Sequence, residues 1–161
     1  VSPSSGPGGG PATIRALQAA LTAENTAVYG YGVAGAHLTG ARRAAAVRDW
    51  VAHENARDAL TAMLTARGGQ PVAAAAAYAL PFPVRSAPAA VSLAAVLEDR
   101  VAAVYLGLVA LSEPSLRAFG AAGVRTAALR AAAWRGSTLA FPGFEVGPPR
   151  ARGTAVRTTR S

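Results

Sequence analysis

Ile14, Leu17, Leu21, Val28, Tyr31 and Leu38 recur at steps of three and four along the chain, with Glu24 and Gly35 completing the series. That period places all eight on one face of an α-helix, so the pattern predicts a single long helix over residues 12–40 packed on other helices. Glu24 then points inward. A carboxylate in an apolar seam is costly unless it is paired, protonated or bound to a metal, so a partner is expected on a neighbouring helix.

Thr39-Gly40 leaves room only for a tight reversal before a second helix, about 41–67, which Gly68-Gly69 ends. So short a connection makes the first two helices antiparallel neighbours. Residues 68–87 read as a long link, with Tyr78 and Phe82 as the side chains that lay it on the surface. Roughly 20 extended residues reach about 60 Å, more than the roughly 40 Å length of a 27-residue helix, so the third helix can run parallel to the second. Pro88 suits the first turn of that helix, about 88–112. Glu113-Pro114-Ser115 turns the chain into a fourth helix, about 115–135, with Gly120 and Gly123 weakening its first half and Gly136 ending it. LAFPGFE, residues 139–145, reads as a capping turn that folds Phe141 and Phe144 onto the end of the bundle.

Composition supports an all-α domain with one core in 161 residues: alanine makes up about a quarter of the chain and has the best helix propensity. The absence of cysteine excludes disulfides and thiolate metal sites, and suits a reducing, cytoplasmic setting. All sixteen basic residues are arginine, and half of the net charge of +8 lies in a tail carrying Arg150, Arg152, Arg157 and Arg160. The folded part is therefore only mildly basic, which weakens a nucleic-acid reading. The apolar stretches on either side of Glu98-Asp99-Arg100 are too short to span a bilayer. Residues 1–11 read as a flexible leader and 146–161 as an arginine-rich flexible tail, leaving 12–145 as the domain.

In an antiparallel hairpin, residues equidistant from the turn share a level. Glu24 therefore falls opposite Glu54, with His53 beside it, and Glu98 falls opposite Arg130. Trp50, His53, Arg57, Leu60 and Leu64 again step by three and four, which puts Arg57 on the His53 face. The expected buried polar network is thus Glu24, His53, Glu54, Arg57, Glu98 and Arg130, with acids on the first and third helices answered by guanidiniums from the second and fourth.

Two helical hairpins joined by a long crossover, with inward glutamates on the first and third helices, resemble the ferritin-like four-helix bundle. The stretches AENTAVYGYG, HENARDAL, LEDR and AFPG are similar to a small ferritin-like family of unknown function from GC-rich bacteria. Metal-binding members of the superfamily supply one glutamate from each of two helices and Glu-x-x-His from each of the other two. On that resemblance Glu24 and Glu98 match the single glutamates and Glu54 heads the second motif. Arg57 replaces its histidine, however, and Arg130 and Ala133 stand at the fourth position. Two guanidiniums at ligand positions would repel a cation.

The residues therefore point to a non-catalytic bundle, a homodimer without cofactor, in which a charge-matched network replaces a dimetal site. The alternative is a carboxylate-bridged iron or manganese binding protein or oxidase, with Glu24, His53, Glu54 and Glu98 as ligands; a third reading is a nucleic-acid-associated protein acting through the tail. Tyr29, Tyr31 and Tyr105 read as core filler whose hydroxyls find buried partners, and His37 as a solvated helix-end residue. Gly30, Gly32 and Gly35 read as points of close helix approach. The third helix is apolar nearly all round, which a dimer contact or burial under the crossover would explain equally.

Overall fold

Pro11, Pro88 and Pro114 each stand in the first turn of a helix, where the missing N–H has no partner to lose. In a computed structural model, which describes residues 10–136, they open α1 (Pro11–Ala36), α3 (Ala87–Val109) and α4 (Pro114–Arg135); α2 is Gly40–Thr65. The described residues contain no strand, and none of their helices is long and apolar enough to cross a membrane. The capping turn expected at 139–145, most of the leader and the arginine tail lie outside them. Ser86 caps α3 through its hydroxyl, which accepts from the Ala89 N–H at 3.3 Å. Gly68 ends α2 in the left-handed region, and the bonds from the N–H groups of Gly68 to Thr65 and of Gly69 to Leu64 form a Schellman closure.

The helices form a four-helix bundle of two antiparallel hairpins. Contacts between α1 and α3 fix their relative direction: Tyr31 meets Glu98 while Glu24 meets Tyr105, so the two helices run oppositely. The order is therefore up, down, down, up, with α3 parallel to α2 as the length of the link allows. Residues 66–86 lie along α1 as a strap. Gln18 bonds to the backbone of Gln70 and Val72 near one end, Tyr78 packs on Tyr29 with ring centroids 5.8 Å apart, and Leu80, Phe82 and Val84 close over the far end of the core.

The apolar core is in two parts. Leu17, Leu21, Leu60, Leu64, Val101, Leu108 and Leu116 fill one end, and Leu38, Ala46, Leu93, Leu97 and Trp134 fill the other. The level between them is polar. Burial of α3 against α1, α4 and the strap accounts for most of its all-round apolar character. The pairs α1/α2, α1/α3 and α3/α4 pack along their lengths, whereas the backbones of α2 and α4 stand apart and long side chains bridge them.

Of the three α1 glycines, only Gly30 serves close approach. A Cβ there would lie 2.5 Å from Leu97, whereas Gly32 and Gly35 have open space beside them. Gly120 and Gly123, the expected weak points of α4, are instead its contacts with α3. A Cβ on Gly120 would meet the α3 backbone at 2.9 Å, and one on Gly123 would sit 2.1 Å from the Tyr105 ring.

Candidate functional site

Every helix contributes to the polar level. Glu24 of α1 and Glu98 of α3 are 2 % and 0 % exposed, and His53 of α2 lies between them. Its Nδ1 is 2.6 Å from Glu24 Oε2 and its Nε2 is 3.1 Å from Glu98 Oε1. The second oxygen of Glu24 accepts from the Tyr105 hydroxyl at 2.5 Å, and Glu98 Oε1 also accepts from Tyr31 at 2.7 Å. From α4, Arg130 Nη1 approaches Glu98 Oε1 to 4.0 Å while its Nε pairs with Asp49 Oδ1 at 3.2 Å. Asp49 Oδ2 accepts from the Trp134 indole at 2.9 Å and lies 3.5 Å from the Tyr31 hydroxyl. The result is one continuous network from Tyr105 to Trp134.

Electrostatics follow from this geometry. Burial disfavours the imidazolium of His53, but hydrogen bonds to Glu24 and Glu98 and their negative charge outweigh it, and its pKa is pushed up to about 9. At neutral pH both ring N–H groups therefore donate, one to each acid. Burial raises the Tyr31 and Tyr105 hydroxyls far above their ordinary value, and the adjacent Glu98 and Glu24 charges raise them further. Both tyrosines therefore act only as neutral donors.

Of the six residues expected in the network, four meet: Glu24, His53, Glu98 and Arg130. Glu54 and Arg57 do not. They are 30 % and 31 % exposed, pair with each other at 3.7 Å, and Arg57 turns to Asp58 at 2.9 Å. Successive residues on a helix point about 100° apart, so His53 and Glu54 cannot both face inward. A third carboxylate beside Glu24 and Glu98 would repel both, while an imidazolium bonds to both. With His53 in place, no acid is left inside for Arg57, and its guanidinium goes to the surface.

Sequence reasoning missed Asp49 and Trp134 and understated Tyr31 and Tyr105. A signal existed for Asp49, which stands four residues before His53 and so on nearly the same helix face. Tyr31 belongs to the inward seam of α1, and Gly123 is the space that lets the Tyr105 ring lie against α4 on its way to Glu24.

The donor set does not suit a dimetal centre. Both ring nitrogens of His53 are directed at carboxylates, Oε1 of each glutamate takes a tyrosine hydroxyl, and the Arg130 charge stands beside Glu98. Among the described residues no group of three His, Cys, Asp or Glu side chains is arranged to hold a metal ion. One atom departs from this satisfied pattern: Glu98 Oε2 is buried and has no hydrogen-bond partner.

Residues 16–146 match the family model described as a domain of unknown function, DUF4439. The structure is similar to the crystal structure of a conserved hypothetical protein from Mycobacterium tuberculosis, with 31 % identity and a TM-score of 0.76. That likeness covers 79 % of this chain and 97 % of the mycobacterial one. No curated protein matches the chain.

Proposed function

This chain belongs to the DUF4439 family, and we propose that it is a non-catalytic ferritin-like bundle whose Glu24–His53–Glu98 network sets helix register where metal-binding relatives of that superfamily hold a dimetal centre. The observation that carries this reading is the placement of His53, whose two ring nitrogens both face carboxylates, leaving no imidazole lone pair for a cation. The crossover connection and the inward glutamates on α1 and α3 support the ferritin-like assignment. A homodimer in the cytoplasm completes the proposal: the chain has no cysteine, and Leu129 is 64 % exposed beside an apolar groove between α3 and α4.

Elemental analysis of protein expressed with added iron and manganese tests the reading. The expected metal content is far below one ion per chain. Near-stoichiometric iron or manganese would establish the second reading, a carboxylate-bridged metal protein built on Glu24, His53 and Glu98, which the unpartnered Glu98 Oε2 favours.

A further inference from the structure

Where the backbones of α2 and α4 stand apart, alanines line both sides and the gap holds two cavities, an outer one of about 440 Å³ and an inner one of about 160 Å³. Thr126 and Arg130 line both. We propose that this cleft binds a small amphipathic acid, with its anionic head at Arg42, Arg48 and Arg130 and its apolar body in the inner cavity.

The outer cavity supplies the head site. Arg42 and Arg48 are exposed on α2 and enter no ion pair among the described residues, and Arg130 pairs with Asp49 through Nε while its Nη1 stands 4.0 Å from Glu98. Against these three guanidiniums the outer cavity carries a single carboxylate, Asp49, so it has an excess of positive charge. Guanidinium forks bind carboxylate or phosphate oxygens in pairs. The inner cavity has a different lining. Ala52, Ala56, Phe119 and Ala122 give it apolar walls, and Glu24 lies at its inner end. That carboxylate repels a second anionic group, which restricts the ligand to one charged end and one apolar end. The outer cavity has a volume in the range of sites for small organic molecules.

The reporter is already in the cleft. Trp134 lines the outer cavity and the only other tryptophan is Trp50, so W50F leaves a single fluorophore at the site. The probes are hexanoate, hexyl phosphate, hexan-1-ol and inorganic phosphate, titrated against W50F by fluorescence and against the unaltered chain by calorimetry. The expected result is saturable, submillimolar binding of hexanoate or hexyl phosphate, with the tighter of the two identifying the head, and no binding of the alcohol or of inorganic phosphate. Arg42→Gln with Arg48→Gln should weaken that binding by about tenfold or more, the scale set by losing charge-assisted hydrogen bonds. Ala122→Leu, which fills the inner cavity, should weaken it similarly. All three positions are exposed, so circular dichroism should show these variants folded. The proposal is overturned if neither acid saturates, if the double arginine variant binds undiminished, or if inorganic phosphate alone binds as tightly as the acids.

Discussion

His53 makes the two buried acids compatible, since without its charge Glu24 and Glu98 face each other as like charges at 2 % and 0 % exposure. His53→Ala should therefore cost on the order of 3–5 kcal/mol in urea denaturation, the range for stranding buried charge, and Tyr105→Phe about 1.5–3 kcal/mol for one hydrogen bond to a carboxylate. If His53→Ala cost no more than an exposed substitution, the network would not stabilise the fold. Glu24 was legible in the sequence from heptad-like stepping, and Glu98 from its distance to the second hairpin turn. The choice of His53 over Glu54 was not, because the pattern tolerates either neighbour and only the charge of the facing acids decides. Asp49 was hidden for a related reason: its partners Arg130 and Trp134 lie on α4, about eighty positions away.

Among the elements, α4 departs most from what propensity implies. Gly120 and Gly123 lower its intrinsic helicity, yet they stand where α3 comes closest, and packing outweighs the entropic cost of about 1 kcal/mol for each glycine. Gly123→Ala, stabilising in an exposed helix, should here destabilise by about 1–3 kcal/mol, because the new Cβ drives the Tyr105 ring away from Glu24. Gly32→Ala on α1, with open space around it, should be neutral or slightly stabilising, and thermal melts of the pair separate contact from propensity. Helix starts and the crossover were legible because proline, glycine and loop length act locally, whereas α1 ends at Ala36, short of the expected residue 40, and Gly40 opens α2. The roles of Gly30 and Gly123 depend on which residue faces them, and the local pattern does not contain that information.

For the whole molecule, the unequal packing makes α2 the least anchored rod. It buries only Ala46, His53, Leu60 and Leu64, whereas α3 buries ten residues between two neighbours, and α4 holds it chiefly through the bonds of Arg130 and Trp134 to Asp49. One of its four buried residues is thus an ionisable group, which couples the stability of the bundle to pH. The folded pKa of His53, about 9, lies above the unfolded 6.5, so its contribution is complete below pH 6.5 and is lost as pH rises through 9. At about 1.4 kcal/mol for each pKa unit, the loss is on the order of 3 kcal/mol. Urea midpoints should accordingly fall between pH 6.5 and 9, and His53→Gln should flatten that slope. The loss should also be uneven in space. In native-state hydrogen exchange at one fixed pH, His53→Gln should lower protection in α2 well before α1 or α3, because α1 and α3 also pack directly on each other whereas α2 has few buried side chains besides His53. Equal loss of protection in all four helices would mean that the bundle opens as one unit and that α2 is anchored by more than its few buried side chains.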